Sequence, residues 1–168
     1  MPGVSKHGRT GLHPELTVAA IVERRGRFML VEERVGGQLV LNQPAGHVEP
    51  GESLAAAVIR EALEETAWTF VPEATLGVYL WGREGGHNPF LRVAFAGRCT
   101  AHDGARALDD GIERVLWLSR SELVARSTQL RSPMVLRAVD DYERGIRYPV
   151  DLFQDLALDQ LALRAAVL

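Results

Sequence analysis

The sequence predicts an α/β (α+β) sandwich, and three observations carry that reading. Runs rich in β-branched residues alternate with segments of helical periodicity, as expected when helices pack against a sheet. Glycine and proline punctuate the intervals between runs, where turns are needed. The chain has 168 residues, 46% apolar and 24% charged, which suits one domain with a single core and argues against extensive disorder.

The elements follow in order. Residues 1–14 are rich in Gly and Pro without periodicity and read as a flexible tail. Leu16–Glu23 and Phe28–Glu33 read as two strands of a hairpin turned at Arg25-Gly26. Gln38–Leu41 is a short strand, and Pro44–Gly51 a loop. Glu52–Ala67 reads as a helix opened by Ser53 or Gly51, with Ala55, Ile59 and Ala62 as the stripe to bury. Strands are expected at Ala74–Trp81, Phe90–Arg98 and Glu113–Leu118. A helix from Ser119 to Ala125 carries Glu122 in a capping-box position, and Ser132–Gly145 is a helix ended by glycine. The domain proper is expected over residues 15–150, with 151–168 a helical extension.

Several function classes are disfavoured by composition. A net charge of −3 without a basic stripe speaks against a nucleic-acid polymer as partner. Cys99 is the only cysteine, which excludes an internal disulfide, a zinc cluster and a Cys-x-x-Cys redox pair. No apolar run is long enough to span a bilayer, and Met1–Pro14 lacks the apolar core of a secretory signal. The expected setting is cytoplasmic, as a monomer or homodimer without membrane partners.

The chemistry concentrates between Gly46 and Trp68. On a helix, Glu61, Glu64 and Glu65 occupy i, i+3 and i+4, a face about 100° wide. Three carboxylates so placed repel one another unless a cation intervenes, and oxygen ligands suit Mg²⁺ or Mn²⁺. Such an ion neutralises phosphoanhydride oxygens and activates water. Arg60 and Glu52 are placed to form an ion pair that pins the loop to the helix, and Gly46 lacks the Cβ that would keep its carbonyl from a metal. A solvated acidic helix face is the plain alternative for an isolated Glu run; the spacing of Gly46, Glu52 and Arg60-Glu61 argues against it.

This spacing resembles the Nudix hydrolase family, whose motif is G-x5-E-x7-R-E-U-x-E-E-x-G-U with U a bulky aliphatic residue. Gly46, Glu52, Arg60, Glu61, Glu64, Glu65 and Trp68 fill the frame; Ala62 is a small first U, and Ala67 replaces the last glycine. The resemblance implies a mixed-sheet α/β/α sandwich. Asn42-Gln43-Pro44-Ala45-Gly46-His47, Asn88-Pro89-Phe90-Leu91-Arg92, Leu130-Arg131-Ser132-Pro133 and Arg147-Tyr148-Pro149 further resemble the NudJ phosphatase subgroup. That subgroup releases inorganic phosphate from nucleoside di- and triphosphates and from the pyrophosphates of thiamine and its hydroxymethylpyrimidine precursor.

By this resemblance Glu61 and Glu65 are metal ligands, joined by the Gly46 carbonyl, and Glu64 is a ligand or the base. Glu113 is a further carboxylate for metal or base work, or else an exposed strand-edge glutamate. Arg92, Arg131 and Arg147 are candidates for gripping phosphate, because a guanidinium fork matches phosphate oxygens. Asn42, Gln43, His47 and Trp81 are candidate contacts to the rest of a small-molecule phosphoanhydride substrate. Two rival functions share the fold: a pyrophosphatase releasing a nucleoside monophosphate from ADP-ribose, a dinucleoside polyphosphate or an oxidised nucleotide, and a non-catalytic nucleotide-binding module.

Overall fold

The computed structural model of the protein describes residues 12–82, 88–154 and 156. Its strands are β1 (Glu15–Arg24), β2 (Arg27–Val35), β3 (Gln38–Asn42), β4 (Ala45–His47), β5 (Trp68–Trp81), β6 (Phe90–His102) and β7 (Ile112–Leu118). Its helices are α1 (Leu54–Thr66), α2 (Arg120–Ala125) and α3 (Pro133–Glu143), with a 3-10 turn at Ser127–Gln129. The seven strands form one mixed sheet in the order β3-β2-β1-β6-β5, with β4 also on β1 and β7 also on β2.

Alternation along β1 explains the layers. Ala19 and Ile21 pack with Leu123, Val135, Ala138 and Val139 of α2 and α3. Val18, Ala20 and Val22 point the other way and pack with Ala57, Val58 and Ala62 of α1. A strand buried on both faces reads as a continuous apolar run, which is why LTVAAIV shows no polar alternation. Helices on both faces make the expected α/β/α sandwich.

β1 is also where the site is assembled. Thr17, Val18 and Ala19 pair antiparallel with His47, Gly46 and Ala45, and on the other side Thr17 lies opposite Arg92 in a parallel ladder with β6. The segment expected as loop from Pro44 thus contains a three-residue strand, because these backbone groups complete the edge of β1.

Three further differences have physical reasons. β5 begins at Trp68 and runs through Pro72 instead of starting at Ala74; it is the outer strand of the order, and its register shifts between Pro72 and Ala74. An edge with a bulge tolerates the missing N–H. The α1 stripe is rotated from the one expected: Ile59 is exposed, and the buried positions are Ala57, Val58, Glu61, Ala62, Glu65 and Thr66. Two glutamates therefore belong to the buried face rather than lying beside it. Residues 150–153 form turns and bends, not helix; the expected C-terminal helix otherwise lies almost wholly outside the described residues, as does most of the expected N-terminal tail.

Candidate active site

Ser53 caps α1, its Oγ accepting from the Ala56 N–H at 3.0 Å, and the helix then presents Arg60, Glu61, Glu64 and Glu65 toward the β4 segment. Arg60 is the hub. Its Nη2 and Nε donate to Glu52 at 2.7 and 3.1 Å, its Nη1 to Glu61 at 2.8 Å and Glu64 at 3.0 Å, and Nη2 also to the His47 carbonyl at 2.9 Å. Glu52 accepts from the Glu49 N–H as well. The loop after β4 is thereby tied to α1. Hydrogen bonding to Arg60 holds the Glu52 carboxyl below the usual carboxylate range, and the Glu52 carboxylate in turn pushes Arg60 above its own.

Gly46 and Glu61 meet face to face. A Cβ at position 46 would lie 2.1 Å from the Glu61 Cδ and Oε1, so only glycine admits this carboxylate. Glu65 lies deeper, its Oε2 accepting from the Ala45 N–H at 2.8 Å. Burial pushes its carboxyl up to about 8, with the Ala45 N–H opposing and the charges of Glu61, Glu33 and Asp109 adding to the rise. Burial also raises Glu61, against the pull of Arg60. Glu33, Glu61, Glu64, Glu65 and Asp109 crowd one end of α1, and Arg60 answers only Glu61 and Glu64 among the α1 carboxylates.

Beside Gly46 opens a cleft of about 210 Å³. It brings together five of the residues expected to bind substrate: Asn42, His47, Trp81, Arg92 and Arg131. Arg92 is buried, its Nη1 donating to Asn42 Oδ1 at 3.2 Å, and burial pushes its guanidinium down to about 10 despite the nearby Glu33. Arg131 approaches Glu33 Oε2 at 3.4 Å. His47 is exposed and lies 2.9 Å from Glu15. Trp81 and Phe90 stack with centroids 6.1 Å apart.

None of Glu61, Glu64 and Glu65 lines this cleft, which meets Glu61 through Gly46, and Gln43, Arg147 and Glu113 also lie off it. Gln43 is buried and donates to the Val135 carbonyl, tying the β3–β4 connection to α3. Arg147 lies over the Tyr142 ring and donates to the Tyr142 and Ile146 carbonyls. Glu113 is exposed and accepts from Arg34. Residues the sequence reading missed are Glu33, Thr17 and Ser132 on the cleft, and Asp109, whose N–H caps the Glu64 carbonyl.

A NUDIX domain matches residues 12–138. The chain belongs to the Nudix family. This Nudix hydrolase is 35% identical over 142 residues to Phosphatase NudJ of Escherichia coli strain K12, a match covering 84% of this chain and 92% of that one. The same figures hold for Phosphatase NudJ of Shigella boydii. Among solved structures, a NUDIX hydrolase from Nitrosomonas europaea is 43% identical with a TM-score of 0.82, covering 84% of this chain and 97% of that one. A UDP-X diphosphatase shares the fold at a TM-score of 0.65 and 17% identity, covering 86% of this chain and 70% of that one. The protein is therefore a hydrolase of small-molecule phosphoanhydrides, and Nudix hydrolases generally use divalent metal ions.

The residues fit such an ion by their chemistry: carboxylate oxygens crowd against a glycine whose missing side chain opens the approach. Among the described residues no three acidic, His or Cys side chains already encircle a point, since Arg60 draws Glu61 and Glu64 together and the Ala45 N–H holds Glu65. No described helix is long and apolar enough to cross a membrane.

Proposed function

We propose that this Nudix hydrolase is a cytoplasmic phosphatase that releases inorganic phosphate from nucleoside di- and triphosphates, with thiamine pyrophosphate and hydroxymethylpyrimidine pyrophosphate as further substrates. The observation that carries the reading is the seat of the Glu61 carboxylate against Gly46, at the rim of a cleft containing Arg92 and Arg131. Similarity to Phosphatase NudJ supports the choice of bond.

Glu61, Glu65 and the Gly46 carbonyl would hold Mg²⁺, or Mn²⁺ in its place, with Glu64 as a further ligand or as base. When bound, the ion neutralises phosphoanhydride charge and acidifies a water. Glu64 is the most accessible of the three α1 carboxylates, so it is best placed to take a proton from a water that attacks phosphorus. Arg60 keeps Glu61 and Glu64 on one side of the helix, and Arg131 at the cleft mouth orients the phosphate chain. Most of the rate comes from positioning and charge neutralisation.

The test is product analysis with Mg²⁺ or Mn²⁺ on GTP, GDP, thiamine pyrophosphate and ADP-ribose. Inorganic phosphate with GDP as the first product of GTP supports the proposal; pyrophosphate with GMP, or exclusive cleavage of ADP-ribose, overturns it. In the same assay Glu65→Gln should lower kcat at least 100-fold while changing KM only a few-fold. Near-normal activity of that variant across metal concentrations would remove Glu65 from the ligand set.

A further inference from the structure

Five buried side-chain polar atoms among the described residues have no hydrogen-bond partner: Thr17 Oγ1, Glu33 Oε1, Gln43 Oε1, Arg92 Nε and Ser132 Oγ. All but the Gln43 oxygen belong to residues lining the cleft beside Gly46. Unpaired buried polar atoms destabilise a fold, so native proteins hold few of them. Scatter would make them incidental; convergence on one cleft points to a ligand. Thr17, Arg92 and Ser132 are 3%, 6% and 4% exposed, so their groups are withdrawn from bulk solvent. For Ser132 the position sharpens the point. It stands at the N-cap of α3 with extended backbone angles, yet its hydroxyl makes no capping bond, although that is what an N-cap serine ordinarily does.

We propose that Thr17, Glu33, Arg92 and Ser132 form a subsite that reads the hydrogen-bonding edge of an amino-substituted nitrogen heterocycle carried by the phosphoanhydride substrate. The inference rests on the phosphoanhydride chain lying over Gly46 and Glu61. Two occupants compete for the subsite, a second phosphate and a ring edge. Glu33 decides between them. Its Oε2 faces Arg131 at 3.4 Å, and its buried Oε1 only accepts hydrogen bonds, so a phosphate there would set acceptor against acceptor, whereas an exocyclic amine supplies the donor that Oε1 lacks. Arg92 Nε only donates, which suits a ring nitrogen or carbonyl, and the two hydroxyls serve either role.

Shape agrees with chemistry. The cleft, at about 210 Å³, lies below the roughly 300 Å³ at which whole-ligand sites begin, so it holds part of a ligand. Trp81 and Phe90 stack at an interplanar angle of 17°, giving the cleft a flat aromatic wall. The register sets the reading edge on the other side. Val31 pairs with Asn42 and Glu33 with Val40, so Glu33 and Asn42 share a face, and Asn42 Oδ1 holds the Arg92 guanidinium at 3.2 Å.

Binding of matched nucleotides without metal tests this directly. Calorimetry in chelator with CMP against UMP, and AMP against IMP, compares amino with keto edges and involves no bond cleavage, so it is independent of which anhydride the enzyme cuts. The amino member of at least one pair should bind at least tenfold tighter, and Glu33→Gln should reduce that preference to within twofold. Ser132→Ala and Thr17→Val, each deleting one hydroxyl, should weaken the preferred nucleotide about 3- to 10-fold. Thermal melting confirms that each variant is folded; if Glu33→Gln is not, the two hydroxyl variants decide. No amino preference in either pair, a preference untouched by folded variants, or inorganic phosphate displacing the nucleotide equally from wild type and Glu33→Gln would overturn the proposal.

Discussion

At the scale of single residues, Gly46 separates folding from catalysis. The atoms that a Cβ would strike belong to the carboxylate end of Glu61, which can swing aside on its flexible stem. Gly46→Ala should therefore fold, with a melting temperature within about 3 °C of wild type, because the strain relaxes at a cost of about 1 kcal/mol or less. If Glu61 is a metal ligand as proposed, moving it should lower kcat/KM at least 100-fold and raise the metal concentration for half-activity. A variant that keeps both would show that the Gly46–Glu61 contact is packing alone. The grouping of the glutamates of this segment was legible in the sequence because it follows from spacing within one stretch of chain. Glu33, Thr17 and Ser132 were not. Each sits on a different element, and nothing local distinguishes Glu33 from its neighbour Glu32, whose carboxylate is taken up by Arg114.

At the scale of elements, the end of α1 explains how the chain does without the glycine usual in its family's motif. Ala67 caps the helix in the left-handed region, φ 57° and ψ 14°, its N–H bonding the Leu63 carbonyl. Left-handed backbone costs a non-glycine residue roughly 1–2 kcal/mol. Against this, the Ala67 methyl is buried, worth about 0.8 kcal/mol, and alanine restrains the unfolded chain by about 0.4–1 kcal/mol. The terms nearly cancel. Ala67→Gly should shift the melting temperature by less than about 3 °C in either direction, whereas Ala67→Val, β-branched and overfilling the site, should lower it by about 5 °C or more.

The α2 cap gives a pH-dependent test on the same scale. The Ser119 N–H and hydroxyl donate to Glu122 Oε2 at 2.7 and 2.9 Å and hold its carboxyl below the ordinary 4.5. A folded pKa below the unfolded one adds stability above about pH 4.5, and this is lost as pH falls through the lowered value. Wild type should thus melt above Glu122→Gln at pH 6–7, with the gap closing toward pH 3; a gap constant with pH would exclude the charged cap. The boundaries of α2 and of its capping box were readable because a cap is local chemistry. The buried stripe of α1 was misread because Glu61 and Glu65 occupy it, and periodicity alone treats a glutamate as a solvent position.

At the scale of the whole molecule, the layering was legible and the strand order was not. Apolar alternation says that a strand is buried, but not which strand lies beside it. The central parallel pair, β1 with β6, joins elements separated by most of the domain, and only the folded sheet shows Thr17 between His47 and Arg92. That placement has a kinetic consequence. Thr17 and Arg92 are about 75 residues apart in sequence, and the loop between them must close before either touches the cleft. Hairpins such as β1–β2 can zip early, but Thr17 and Arg92 reach the cleft only through non-local pairings, which close more slowly. In refolding after denaturant dilution, hydrolytic activity should return no faster than the last phase of tryptophan fluorescence; activity regained ahead of that phase would contradict it. Nascent or partly unfolded chains would then be inert toward phosphoanhydrides, hydrolysing nothing until the final sheet contacts form.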